Sequence, residues 1–212
     1  MNSKSTKMQL LSLVPDALVL THGSPRQAAR YLSFDDGPDP EHTPRLLDLL
    51  AKYGVQASFF VIGAKAERHP ELVQRIVAEG HMLGNHSYTH WSFKRMSLKN
   101  MLSEIDRTDQ LLSAFDQRRR HRMRTPRGDL PLSLLLYFAF HWRSFVFWSY
   151  DSLDYQKNTE EALISRLRTY PPQAGEIILM HDDSAKAASA LDVLLPEWLA
   201  SGYRFFALPA DA

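Results

Sequence analysis

Two adjacent carboxylates end a β-prone apolar run in the first quarter of the chain. Residues 31–38 read YLSFDDGP, so Asp35 and Asp36 directly precede a Gly-Pro turn. Successive side chains of a strand point to opposite faces, and a strand that ends at this turn lets the two carboxylates do different jobs. One can ligate a metal ion while the other acts as a base toward water. The alternative is an ordinary Asx-type turn that caps a strand.

A pair of histidines four residues apart offers further metal ligands. His86 and His90 would lie on the same face of a single helical turn. Two imidazoles and one carboxylate of the Asp35–Asp36 pair leave coordination positions open for water and substrate. This donor set favours zinc and also suits cobalt, nickel or iron.

Other titratable residues follow predicted strands further along the chain. His181 comes directly after the apolar run 177–180, and Asp154 follows the predicted strand 145–148. Asp154 is a candidate partner that would fix the tautomer of His181 and raise its pKa, so that His181 can donate a proton to a leaving amine. The alternative is a structural histidine behind a buried strand.

A basic turn, residues 124–128 (RTPRG), follows a run of cationic side chains at 118–122. Arg124 can hold the base Asp35 ionised through a charge-assisted pair. The alternative is a solvated loop that continues the charge run.

Helical and β-prone segments alternate from the first carboxylates to the end of the chain, and the connections between them are short. The predicted strands are 30–34, 57–62, 82–84, 145–148, 176–180 and 203–208, and the predicted helices are 43–53, 70–79, 97–115, 130–140, 160–170 and 188–200. This alternation predicts an α/β fold with parallel strands, whose chemistry lies at the carboxyl ends of the strands. We expect a single domain over residues 29–212, preceded by a peripheral N-terminal extension, residues 1–28.

The composition excludes some classes of function and some kinds of metal site. The 212 residues carry a net charge of +1, which is no signature of nucleic-acid binding. Cysteine is absent, which excludes disulfides and thiolate metal sites. The apolar run at 8–14 is too short for a secretory signal, so a cytoplasmic or membrane-peripheral location is favoured.

Five segments, in order, resemble the motifs of polysaccharide deacetylases of the NodB-homology type, carbohydrate esterase family 4. They are 33–38 (SFDDGP), 86–90 (HSYTH), 124–128 (RTPRG), 151–155 (DSLDY) and 179–181 (LMH). The resemblance covers residues 30–208 and implies a distorted (β/α) barrel with about seven parallel strands. It implies metal-dependent de-N-acetylation of an N-acetylhexosamine-containing glycan or glycan precursor, with release of acetate.

The resemblance also implies roles for the polar residues. Asp35 would be the catalytic base, and Asp36, His86 and His90 would hold a divalent metal ion, with zinc favoured. His181 would be the general acid.

The remaining matched positions surround these groups. Asp154 would position the general acid, and Arg124 would orient the base. Pro126 would form part of the substrate groove, and Leu179 would line the pocket for the acetyl methyl group.

Two positions depart from the family pattern. Arg127 stands where an aromatic residue is usual, and Tyr155 stands where Trp is usual. Both change the substrate groove and leave open a metal-dependent hydrolase of a small non-sugar amide or formyl group. A catalytically silent glycan-binding module is a third possibility, although such a module has no need for the complete set of polar residues.

A basic–apolar segment, residues 118–142, joins the cationic run to a leucine- and aromatic-rich stretch. One interpretation is an exposed loop followed by a core helix. The other is peripheral contact with an anionic membrane or a lipid-linked glycan.

Overall fold

Parallel strands alternate with helices along residues 11 and 13–210, which the computed structural model describes. The strands are β1 (Val19–Leu20), β2 (Ala29–Asp35), β3 (Ser58–Val61), β4 (Met82–Asn85), β5 (Phe145–Val146), β6 (Tyr150–Asp151), β7 (Ile177–His181) and β8 (Arg204–Phe205). The α-helices in these residues are α1 (His42–Tyr53), α2 (Gly63–Arg68), α3 (Pro70–Ala78), α4 (Leu98–Asp116), α5 (Leu132–Phe140), α6 (Glu160–Thr169) and α7 (Ala185–Ala200).

The strands form one arc of parallel pairs. Its longest part has the order β4–β3–β2–β7–β6, and β8 pairs with the start of β2. Met123 makes isolated parallel bridges to Asn85 and Phe145, which connect β4 to β5, and β5 pairs with β1. Seven strands of the described residues therefore follow one another from β6 to β1. This arrangement agrees with the predicted distorted barrel of about seven parallel strands.

The central strand β2 is buried on both of its faces. All seven residues of β2 are buried, because helices cover one face of the sheet and the barrel interior covers the other. The apolar face of α1 packs with α7 against Leu32 and Phe34 of this strand. Gly54 ends α1 in the left-handed region, at φ 62°, as expected for a helix C-cap. The site residues at the end of β2 therefore extend from a rigid central strand.

Three expectations about the elements need correction. Val19 is fully buried and pairs with Phe145, so this part of segment 1–28 is a strand of the arc and not a peripheral extension. A two-residue strand carries too little periodicity to be found in the sequence. Residues 1–10 and 12 of the predicted extension lie outside the described residues.

The predicted strand 145–148 is reduced to the two residues of β5, and a second short strand, β6, follows at Tyr150–Asp151. The first, β5, pairs with β1, and the second, β6, pairs with β7, because the chain crosses from one neighbour to another at Phe147–Ser149. The predicted last strand, 203–208, is reduced to the two residues of β8.

Helix α5 is buried on one side only. Leu134 and Phe138 are fully buried, whereas Leu132, Leu136 and Phe140 are exposed. None of the helices in the described ranges has the length and apolar character needed to cross a bilayer.

Candidate functional site

A cavity of about 360 Å³ opens at the carboxyl ends of the central strands. Eight of the predicted site residues line it, namely Asp35, Asp36, His86, His90, Arg127, Tyr155, Leu179 and His181. The other three, Arg124, Asp154 and Pro126, are buried behind this lining. The β2–β7 register explains part of this convergence, because Asp35 lies directly opposite His181.

Three ligand atoms converge at one point of the cavity. The Oδ1 atom of Asp36 lies 3.3 Å from Nε2 of His86 and 3.1 Å from Nε2 of His90. This Oδ1 atom is buried and has no hydrogen-bond partner. All three ligand atoms lie within 4.8 Å of one another, and they form the one such group of His and acidic residues found in the described chain. A divalent cation fits this donor set and would satisfy the unpaired carboxylate oxygen.

The surroundings prepare His86 for this role. Its Nδ1 atom lies 2.7 Å from the carbonyl oxygen of Arg124, so Nδ1–H donates there and the lone pair of Nε2 is left for a metal ion. Burial alone would raise the pKa of Asp36, but the contact with His86 and the charges of both imidazoles hold this pKa well below its ordinary value. The carboxylate is therefore ionised and ready to bind a cation across the physiological pH range.

The two histidines do not lie on a helical turn, which corrects the sequence prediction. Residues 86–90 form a turn in which Ser87 and His90 have φ values of 65° and 61°. Asn85 shapes this turn, because its Oδ1 accepts from the N–H of Ser87 while its Nδ2 donates to Asp109 of α4. The imidazole rings are brought within 5.0 Å of each other by this turn.

Asp35 is held by a buried arginine. Nη1 of Arg124 donates to Oδ1 of Asp35 at 2.7 Å and to Oγ of Ser33 at 2.9 Å. Arg124 is fully buried with its guanidinium 4.0 Å from the ring centroid of Phe60, so the interpretation as a solvated loop is wrong. Burial lowers the pKa of Arg124, and its ion pair with Asp35 opposes this shift. The pair predicted from the sequence is therefore present.

His181 is oriented by Asp154, as predicted. Nδ1 of His181 lies 2.9 Å from Oδ1 of Asp154, and the backbone N–H of His181 donates to Oδ2 at 2.7 Å. Burial opposes the charged imidazole, but the hydrogen bond and charge of Asp154, with the charges of Asp35 and Asp36, raise the pKa of His181 to about 9. The imidazole is therefore protonated at neutral pH.

The predicted substrate-binding residues form the cavity walls. Leu179 is buried at its base, and Pro126 is buried behind the turn that carries Arg127. The ring of Tyr155 meets that of His181 edge-on at 5.5 Å, and its hydroxyl donates to Asp151. Asp151 and Trp148 also line the cavity. Neither was among the predicted site residues; the position of Asp151 after a strand was the available signal.

A buried carboxyl supports the turn that follows Asp36. Asp182 lies so close to Gly37 that a Cβ atom at Gly37 would come within 2.1 Å of Oδ2. This Oδ2 accepts a hydrogen bond from Thr43 at 2.6 Å, and burial raises the pKa of Asp182 to about 7. Glycine is therefore required at this position of the turn. No local pattern in the sequence indicates this contact between Asp182 and Thr43.

Comparison with known proteins identifies the family. The family model described as polysaccharide deacetylase matches residues 22–139. This chain belongs to the polysaccharide deacetylase family. The resemblance noted in the sequence is thereby confirmed, and a divalent metal ion agrees with both the family and the Asp36–His86–His90 group.

Similar proteins have been named in several bacteria. A peptidoglycan-N-acetylglucosamine deacetylase of Bacillus cereus is 31% identical over 185 residues, which are 84% of this chain and 66% of that protein. The peptidoglycan-N-acetylmuramic acid deacetylase PdaC of Bacillus subtilis is 30% identical over 93% of this chain and 41% of its own length. A chitooligosaccharide deacetylase of a Bradyrhizobium species is 32% identical over 84% of this chain and 88% of that protein. The chain thus spans just under two thirds of the first relative and less than half of PdaC.

A solved structure shares the fold closely. The crystal structure of the peptidoglycan N-acetylglucosamine deacetylase Bc1960, in complex with 4-naphthalen-1-yl-N-oxidanyl-benzamide, has a TM-score of 0.84 and is 30% identical. The match covers 91% of each chain. The predicted α/β fold of the NodB type is confirmed by this match.

Proposed function

We propose that this protein hydrolyses the N-acetyl groups of N-acetylhexosamine units in a glycan or glycan precursor and releases acetate. The observation that best supports this function is that three functional groups border one cavity. They are the Asp36–His86–His90 ligand group, the base Asp35 with its partner Arg124, and the acid His181 with its partner Asp154. The names of the relatives, which are deacetylases of peptidoglycan and chitooligosaccharides, support this chemistry.

Asp36, His86 and His90 would hold the divalent ion, and we propose zinc as that ion. Zinc accepts two imidazoles and a carboxylate and keeps a position open in catalytic sites. When bound, such an ion polarises the acetyl carbonyl and lowers the pKa of water.

Asp35 acts as the general base in this proposal. Nη1 of Arg124 donates to Oδ1 of Asp35, and this contact fixes the orientation of the carboxylate. Asp35 takes a proton from the water whose oxygen forms the new bond to the acetyl carbon. The backbone N–H of Arg127, in the cavity wall, donates to the oxygen that becomes negative in the transition state.

His181 completes the reaction as the general acid. Because Nδ1–H is held by Asp154, the proton at Nε2 is the one available to the substrate. This proton passes to the sugar nitrogen as the C–N bond breaks, which leaves acetate and a free amine.

Acetate release from defined substrates tests the proposal. We expect release from N-acetylglucosamine oligomers or peptidoglycan fragments, loss of activity after chelation, and recovery when zinc or cobalt is added back. Small formyl and acetyl amides serve as the comparison set. Release from these amides alone, with no release from any saccharide, would instead support the non-sugar hydrolase.

We propose in addition that the basic–apolar segment contacts an anionic membrane surface, where the substrate would be a lipid-linked glycan. Leu132, Leu136 and Phe140 follow one another at four-residue intervals on the exposed face of α5. Phe140 is 82% exposed and Trp142 is 91% exposed. Nη1 of Arg120 donates to the carbonyl oxygen of His141, so this cation lies beside the exposed aromatic end of α5. Aromatic and cationic side chains together suit the headgroup region.

Vesicle co-sedimentation tests this contact. At low salt we expect the protein to sediment with vesicles rich in phosphatidylglycerol and to remain in solution with phosphatidylcholine alone. Trp142→Ser should weaken sedimentation severalfold, whereas Tyr170→Ser, which removes a half-exposed aromatic elsewhere, should not. Equal sedimentation of the two variants, or none for the native protein, would reject the proposal.

A further inference from the structure

We propose that Arg127 binds an anionic group of the substrate, a carboxylate or a phosphate carried near the N-acetyl group, and so selects acidic glycans over neutral ones. This inference rests on the deacetylase function proposed above and concerns the same cavity. The observations that carry it are the backbone of Arg127, its position in the cavity wall and the balance of charges around it.

The backbone of Arg127 is unusual for a residue with a long side chain. Its φ and ψ angles are 55° and 17°, in the left-handed region that glycine occupies most easily. Its neighbours in the turn, Pro126 and Gly128, are buried, whereas the side chain of Arg127 is exposed. A strained position that carries a guanidinium instead of glycine points to a use for the side chain.

The carboxylates that line the cavity face protein groups other than Arg127. Asp35 pairs with Arg124, Asp36 lies between two imidazoles, and Asp151 accepts from the N–H of Leu153 and the hydroxyl of Tyr155. None of these carboxylates is paired with Arg127. Among the described residues, no hydrogen bond or ion pair engages the guanidinium of Arg127.

Arg127 is also the one lysine or arginine that lines the cavity in the described chain. It shares this lining with the base Asp35 and the acid His181. An unpaired cation close to the reacting centre is complementary to a negative charge on the bound sugar or on its neighbour in the glycan.

A guanidinium recognises particular anions. Its planar fork matches a carboxylate or a phosphate with two parallel hydrogen bonds, and such charge-assisted bonds are stronger than neutral ones. Neutral glycans are not excluded, because the exposed guanidinium stays hydrated when nothing pairs with it. Arg127 is thus expected to change the preference between substrates more than the ability to hydrolyse an amide.

Matched neutral and acidic substrates test whether Arg127 recognises an anionic group. The probes are chitotetraose, its 3-O-carboxyethyl derivative and its 6-O-phosphate, each assayed for kcat and KM with the metal-loaded enzyme. We expect kcat/KM to favour at least one acidic probe over chitotetraose by about tenfold, mainly through KM, as one charge-assisted contact supports. Arg127→Gln should bring that ratio close to one, and Arg127→Lys should retain part of it. Which acidic probe responds tells whether a carboxylate or a phosphate is bound.

The controls keep this inference separate from the proposed function. Lys99→Gln removes one exposed charge from α4 outside the cavity and should leave the ratio unchanged. Arg127→Gly, which suits the left-handed backbone, replaces Arg127→Gln if the latter does not fold. Equal ratios for native protein and Arg127→Gln, with acetate released, would overturn the role of Arg127 while the deacetylase function stands. If no probe releases acetate, the proposed function fails, and calorimetric binding of the same probes still decides whether Arg127 recognises the anion.

Discussion

Replacing Asp35 by Asn is expected to lower kcat about 10²- to 10⁴-fold while the protein still binds a divalent ion, because this is the range that a positioned general base contributes. The amide has the shape of the carboxylate and can still accept the hydrogen bond from Arg124, but it cannot take a proton from water. Asp35 is outside the Asp36–His86–His90 group, so the metal ligands remain. Acetate release and metal content of the purified variant are the two measurements.

Asp36→Asn is the matched control for that experiment. It makes the same chemical change one residue along the chain, at the carboxylate whose Oδ1 lies between the two imidazoles. We expect it to lose both metal and turnover, whereas Asp35→Asn loses turnover alone. Native-like turnover in Asp35→Asn would remove Asp35 from the role of base.

The site residues that lie at the ends of strands could be predicted from the sequence. Asp35 and His181 both end apolar runs, and the parallel register of β2 and β7 brings them opposite each other. Asp154 and Arg124 were predicted from the chemistry that His181 and Asp35 require, and each makes the expected contact. The positions of Asp35 and His181 could be predicted because a buried strand leaves little freedom in where its last residue lies.

The parts that depend on distant contacts could not be predicted. The turn at residues 86–90 follows from Asn85, whose side chain is anchored on α4 by Asp109 and by the carbonyl oxygen of Ile105. Histidines at i and i+4 without that information suggest a helix. The two-residue strand β1 and the Asp182–Thr43 contact could not be predicted for the same reason, since no local sequence pattern indicates either of them.

The charge run at 118–122 shows how burial can contradict local composition. Cationic runs are usually solvated, yet Arg124, two residues beyond this run, is fully buried. Arg124 finds partners in Asp35, in Ser33 and in the carbonyl oxygen of Val146, which come from two strands far apart in the sequence. A buried charge becomes acceptable when it is paired and hydrogen-bonded in this way.

The activity of the protein is expected to fall as the pH rises through about 9, because His181 then loses the proton that it donates to the leaving nitrogen. The pKa of His181 is about 9 since Asp154 outweighs the effect of burial, helped by Asp35 and Asp36. Below this pH the imidazole is charged and active as an acid; above it the imidazole is neutral. Asp154→Asn removes the largest raising contribution, so the alkaline limb of the kcat profile should move toward the ordinary histidine pKa of about 6.5.

Two further variants separate acid catalysis from a structural role of His181. His181→Gln should lower kcat about 10²- to 10⁴-fold and abolish the alkaline limb, since no proton is left to lose. Its deficit should shrink for an N-acetylated probe with a good leaving group, such as 4-nitroacetanilide, because that nitrogen needs less help from an acid. Tyr155→Phe keeps the ring against His181 and removes the hydroxyl contact with Asp151. The alkaline limb of the kcat profile of this variant should therefore stay near pH 9. An equal deficit of His181→Gln on both classes of leaving group would mean that His181 holds the site together and does not donate the proton.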